Sequence, residues 1–181
     1  EAAHDLGRAT IKVVQLQTLL ERLLVLALPD QSQWKAIEVV SLQDLTEDIV
    51  ARLPETERQR VRLHAPRGSV VVRGDEALLG MLFSNALSNA LKFGKQVEVS
   101  TYEANGEVVL LVDDDGPGVS PDQRTAVFEP FVRAPLAVER QISGHGLGLA
   151  LIAHVARRHG GGARFIDGEP GAHLEISLPR R

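Results

Sequence analysis

The sequence predicts an α+β fold: a two-layer sandwich, its mixed, mostly antiparallel sheet carrying helices on one face, preceded by a long N-terminal helix. Three observations predict it. Residues 2–27 place apolar side chains at alternating steps of three and four. Residues 78–93 are apolar almost all round, as a buried helix is. Two alternating segments, 96–103 and 107–113, flank Asn105-Gly106, the pair that favours a tight antiparallel hairpin.

Taken in order, the first helix aligns Leu6, Ala9, Val13, Leu16, Leu20, Leu23 and Ala27 as a coiled-coil seam. Burying each large member is worth roughly 1.5–3 kcal/mol, so the helix calls for a partner: another copy, an absent segment, or its own domain. Gly7 weakens its first turns. A polar linker at 29–35 leads to a strand at 36–40. Ser41 then caps a helix to Leu53, with Asp44 three residues on, and Pro54 ends it. Residues 60–64 and 69–73 read as strands. Asp75 caps the apolar helix. After the hairpin come a loop at 116–121, a short helical turn, the segment Phe128-Glu129-Pro130-Phe131 and an irregular stretch to Ser143. A helix from Leu147 to Arg158 stops at Gly160-Gly161-Gly162, and strands at 164–166 and 173–178 close the chain.

The whole is long enough, at 181 residues, for one compact domain and a helical appendage. An apolar fraction of 44% supports a core, and a net charge of -4 with scattered Arg and Lys gives no footprint for nucleic acid. Cysteine is absent, which excludes disulfides and thiolate metal sites. The aliphatic run at 23–28 is too short for a bilayer span, so no membrane contact is expected of this segment. The six histidines lack metal-ligand spacing, and His154 and His159 are expected at the surface.

Three stretches carry chemistry. The apolar helix bears one polar stripe, Ser84, Asn85, Ser88, Asn89 and Lys92, filled with amides and hydroxyls where a solvated stripe would hold charges. Amide carbonyls in an apolar wall suit a metal or a polar ligand, the alternative being a plain solvated stripe on a core helix. Asp113-Asp114-Asp115-Gly116-Pro117-Gly118 leaves the end of a strand. By strand parity Asp114 shares a face with Val108, Leu110 and Val112, while Asp113 and Asp115 point away. That makes Asp114 the candidate to accept a hydrogen bond from an exocyclic amino group, beside glycines that let a flat ligand approach the backbone. A calcium loop is a rival use of three acids, although its spacing is absent. Gly144-His145-Gly146-Leu147-Gly148-Leu149 opens a helix and frees N–H groups for an anion; alone it could equally be a tight packing turn.

In this order and at these intervals the stretches resemble the catalytic and ATP-binding domain of sensor histidine kinases, of the superfamily sharing the Bergerat ATP-binding fold. Asn85 to Phe93 looks like its N box, Asp114 to Gly118 its G1 box, Phe128 to Arg133 its F box, and Gly144 to Leu149 its G2 box. Leu16 to Ala27, followed by Val39 to Leu45, resembles the end of a dimerisation helix hairpin and its junction. The resemblance implies residues 1–33 as a remnant of that hairpin with its linker, and 34–181 as the catalytic domain. It implies ATP and Mg²⁺ as cofactors, with Asn89 the metal ligand and Asn85 and Lys92 on the phosphates. Phe93 would neighbour the adenine or ribose, and Asp114 would read the adenine between Gly116 and Gly118. Gly144, Gly146 and Gly148, with Leu147 and Leu149, would cradle phosphate, and His145 would be a lid residue. Arg133, and more weakly Arg140, would be phosphate-side cations.

ATP-hydrolysing relatives in that superfamily carry a Glu where this chain has Asn85, and an amide cannot take a proton from water. The resemblance therefore favours transfer to histidine over hydrolysis, with Asn85, Lys92 and Arg133 the catalytic group. It further implies a homodimer through the N-terminal helix, a response-regulator receiver domain as partner, no nucleic acid, and a cytoplasmic location. The other reading is a kinase-like regulatory module that binds nucleotide without turnover. His4-Asp5 lacks the family's following proline, so the phosphoacceptor helix is expected upstream of this chain. The lid, 134–143, is expected to be mobile without nucleotide.

Overall fold

The computed structural model describes residues 2–29, 37–64 and 70–180; within the first helix, side chains are described at residues 12–14 and from 16 on. The parts of the expected linker and strands at 30–36 and 65–69, and the side chains of His4, Leu6 and Ala9, lie outside the described residues.

Helix α1 (Ala2–Leu26) leads to β1 (Glu38–Ser41), α2 (Leu42–Ala51) and a single-turn α3 (Glu55–Arg58) that the sequence did not announce. Strands β2 (Val61–His64) and β3 (Val71–Gly74) precede the central helix α4 (Glu76–Phe93). The hairpin β4 (Val97–Ala104) and β5 (Glu107–Asp114) follows, then a 3₁₀ turn (Ala126–Phe128), α5 (Pro135–Glu139), α6 (Gly148–Arg158), β6 (Gly162–Ile166) and β7 (Ala172–Pro179). Helix α5 corrects the expected irregular stretch: Pro135 sits at its first position, where a missing N–H costs nothing.

Five strands form one sheet in the order β2-β4-β5-β7-β6, antiparallel except where β2 runs parallel to β4. Strands β1 and β3 form a separate antiparallel pair, a second sheet that hydrophobic alternation could not distinguish from an extension of the first. Helices α4 and α6 pack against each other and on one face of the larger sheet. Alternation decides which face: Val97, Val99 and Thr101 of β4 and Val108, Leu110, Val112 of β5 are buried, whereas Glu98 and Tyr102 meet solvent. Asn105 and Gly106, both at positive φ, close the hairpin as the sequence requires.

Asp75 starts α4 by accepting the N–H of Leu78 at 3.1 Å, and Ser41 starts α2 by accepting that of Asp44 at 3.2 Å. Leu79, Leu82, Phe83 and Leu87 of α4 are almost wholly enclosed, facing Leu151, Ile152 and Val155 of α6. His154 and His159 are buried as well, not at the surface as expected. The histidine spacing misled because α6 is covered on both sides, by α4 and by the last turns of α1.

Among the described residues, helix α1 joins the domain through its C-terminal part. Val25 enters the core and the carbonyl of Pro29 accepts from Arg158. Of the described seam residues, Val13, Leu16, Leu20 and Leu23 face solvent. Among the described residues no helix is long and apolar enough to cross a membrane.

Candidate functional site

The C-terminal end of α4, the end of β5 and the start of α6 converge on a cleft of about 1110 Å³, measured out to its open mouth. Asn89, Lys92 and Phe93 come to it from α4 and Asp114 from β5. Its apolar floor includes Val112, Phe165 and Leu174, and its outer wall Arg133, Ile142 and the glycine-rich loop.

The polar stripe of α4 divides. At 100° per residue, Ser84 and Ser88 lie at one edge, Asn85 and Asn89 at the other, with Lys92 between. The serines open onto a groove beside α2, with Ile49 and Leu53. The amides turn toward α6. A Cβ built on Gly148 would stand 3.3 Å from Asn89 Nδ2 and 3.5 Å from Asn85 Oδ1, so glycine there leaves the amides room at the helix start. Asn85 is buried and donates from Nδ2 to the carbonyl of Met81 at 2.7 Å; it stands behind the cleft wall.

The three acids diverge. Asp113 pairs with His173 Nδ1 at 2.6 Å on the other face of the sheet. Asp115 accepts the N–H groups of Gln96 and Lys95, which hold its carboxyl below the usual range. Asp114 alone turns into the cleft. The three carboxylates go to three different places, against the convergence that a calcium loop needs. Burial raises the Asp114 pKa, opposed by the N–H groups of Gly116 and Ala172. A carboxylate at the bottom of an apolar slot reads a hydrogen-bond donor on a flat ring with little competition from water.

Gly116 lets the loop pack on the end of α4: a Cβ there would meet the carbonyl of Phe93 at 2.9 Å. Gly146, at φ 71, presses on the backbone of Phe131 and Val132, and its carbonyl accepts the N–H of Phe131 at 2.9 Å. The glycine loop and the Phe128–Phe131 segment are thus one wall.

The structure brings Asn89, Lys92, Phe93, Asp114, Gly118, Arg133, Gly144, His145, Gly146, Gly148 and Leu149 to the cleft. Asn85 and Gly116 support it from behind. Leu147 is wholly buried and anchors the loop in the core. Arg140 is exposed and does not line the cleft; its backbone closes α5 on the carbonyl of Leu136. Arg133 lines the cleft but spends Nη2 on the carbonyls of Ala137 and Ile142, fixing the lid. Arg22 of α1 also lines the cleft, and no motif in the sequence singles it out. In a heptad helix it looks like any flanking cation.

One end of this cleft suits an aromatic ring with an amino group; the other offers a lysine, an arginine, an amide and a helix start to an anion. Residues 74–181 match the family model described as histidine kinase-, DNA gyrase B-, and HSP90-like ATPase. Sensor protein RstB of Escherichia coli (strain K12) is 31% identical over 92% of this chain, which covers 40% of RstB. The chain spans about two fifths of the curated relatives it matches. Among solved structures, the mycobacterial sensor histidine kinase MprB is 31% identical, with a TM-score of 0.68 over 81% of this chain and 99% of that one. The ATP binding domain of PrrB from Mycobacterium tuberculosis is 30% identical, with a TM-score of 0.62 over 80% and 98%.

Proposed function

Because the chain belongs to the histidine kinase-, DNA gyrase B-, and HSP90-like ATPase family, within the sensor histidine kinases, we propose that it passes the γ-phosphoryl of Mg-ATP to a histidine on another helix. The observation that carries this is the placement of Asn89 and Asp114 in one cleft, an amide toward the helix start and an acid at the floor.

In this reading Asp114 accepts from the adenine amino group while Phe93 and the loop around Gly118 bound the ring. Lys92 and the free N–H groups of the loop around Gly146 hold phosphate oxygens, and the start of α6 adds its positive end. Asn89 Oδ1 is the one side-chain carbonyl that the α4 stripe offers to the cleft, and it would hold Mg²⁺, which would supply neutralisation of phosphate charge. Asn85 is not a base to activate water: its amide is buried, bound to the Met81 carbonyl, and cannot take a proton. Transfer then falls to a nucleophile brought from outside. An imidazole nitrogen forms the N–P bond as the bond from the γ-phosphorus to its bridging oxygen breaks, and ADP leaves.

The exposed seam of α1 supports a homodimer through this helix, and a phosphohistidine would pass its group to a response-regulator receiver domain. Supplying a dimerisation helix in trans with labelled ATP tests the assignment. An acid-labile, base-stable phosphohistidine that needs Asp114 is the expected product. Tight ATP binding without transfer would favour the regulatory-module reading.

A further inference from the structure

Arg22 reaches the cleft from α1, outside the elements that build the rest of it. It is half-buried one turn before the helix ends, next to the point where Val25 enters the core. It also borders a second groove with Ser84 and Asn85, so it stands along the polar stripe of α4. Lys92 is close enough that, after burial, the charge of Arg22 is the second cause holding its pKa down; burial lowers that of Arg22 itself. Among the described residues no carboxylate lies within ion-pairing distance of either group.

Two partly desolvated cations on one cleft repel each other, and the folded chain gains nothing from that alone. An anion between them reverses the sign. A guanidinium matches phosphate oxygens with two parallel donors, which an ammonium cannot do.

We propose that Arg22 is a phosphate-binding residue supplied by α1, so that nucleotide occupancy and the seating of α1 on the domain stabilise each other. This rests on the cleft being a nucleotide site. The coupling is reciprocal: any movement of α1 that withdraws Arg22 weakens nucleotide binding by the factor with which nucleotide holds α1 in place. The helix that carries the dimer seam would then report its position directly to the phosphates.

The test is calorimetric titration with Mg-ATP and with adenosine, at one ionic strength, of the unaltered chain, Arg22→Ala and Arg22→Lys. Arg22→Ala should weaken Mg-ATP about ten-fold and leave adenosine unchanged, with Arg22→Lys recovering part of the loss. Unchanged Mg-ATP affinity in Arg22→Ala would overturn the proposal. So would an equal loss for both ligands, which would mark Arg22 as a support for the helix. Binding of neither ligand to the unaltered chain would instead remove the nucleotide reading itself.

Discussion

The carboxylate of Asp114 accepts the N–H of Gly116 at 2.8 Å while the rest of the side chain is enclosed. Burial raises its pKa from the ordinary 3.8, so the folded state binds this proton more tightly than the unfolded chain does. The stability that this contributes is present below pH 3.8 and is lost as pH rises through the raised value; at neutral pH the ionised group is a net cost. Asp114→Asn should therefore unfold at the same temperature or higher at pH 7. It should nonetheless lose at least ten-fold in ATP affinity: one oxygen already accepts from Gly116, so an amide must present its NH2 to one of two donors, that N–H or the adenine amino group. Melting curves and titrations on the same preparation check both halves; a variant that is less stable and binds normally contradicts them.

Asn89 offers the only side-chain carbonyl among the described residues that both lines the cleft and lies on the α4 stripe. Asn89→Ala should weaken ATP binding in the presence of magnesium and leave binding in EDTA nearly unchanged. The ratio of the two affinities is the measurement, and an equal loss in both conditions would place Asn89 elsewhere than on the metal.

Much of this site was legible because its parts are local. Asp114 follows from strand parity, and the break at Gly144–Gly148 from residue type. What was not legible depends on neighbours far away in sequence. Residues at 135–139 are too few for a helical period, so α5 shows only in the fold, where Arg133 ties the carbonyl of Ala137 to that of Ile142 beyond the helix. His159 reads as a polar residue at a helix end until the chain folds Asp75 against it. Arg22 needed the docking of α1, which no pattern inside α1 encodes. The split of the polar stripe into serine and amide edges spans little more than a third of a turn, and only the packing of α2 and α6 on either side reveals it.

Gly146 holds the lid wall at φ 71, where a Cβ would meet the Phe131 carbonyl carbon at 2.7 Å. Gly146→Ala adds a left-handed strain of about 1–2 kcal/mol and a clash with backbone that cannot turn aside. The expected result is a lid detached from its hydrogen bond between Phe131 and Gly146. Limited proteolysis should cut the variant faster between residues 134 and 143, and ATP should protect the unaltered chain more than the variant. Equal cutting in all four conditions would show that the lid does not depend on this glycine.

His159 joins the end of α6 to the start of α4, and its two nitrogens have opposite roles. Nε2 lies 3.3 Å from the N–H of Asp75 and accepts from it, so Nδ1 carries the proton and donates to the carbonyl of Val155 at 2.8 Å. Only the neutral ring can do both. Burial is the largest cause lowering its pKa below 6.5, with the Val155 carbonyl and Asp75 opposing and the neighbouring Arg158 adding to the fall. A depressed folded value means stability is fully present above pH 6.5 and is lost as pH falls toward the folded value, where the unfolded chain takes up a proton that the folded one refuses. The unfolding temperature should therefore drop as pH falls below about 6.5. His159→Gln keeps an acceptor for Asp75 without the titration; it should flatten that slope while lying lower at pH 8, since Gln fits the gap beside Gly74 less well than the ring. An unchanged slope in this variant would assign the acid sensitivity to other groups.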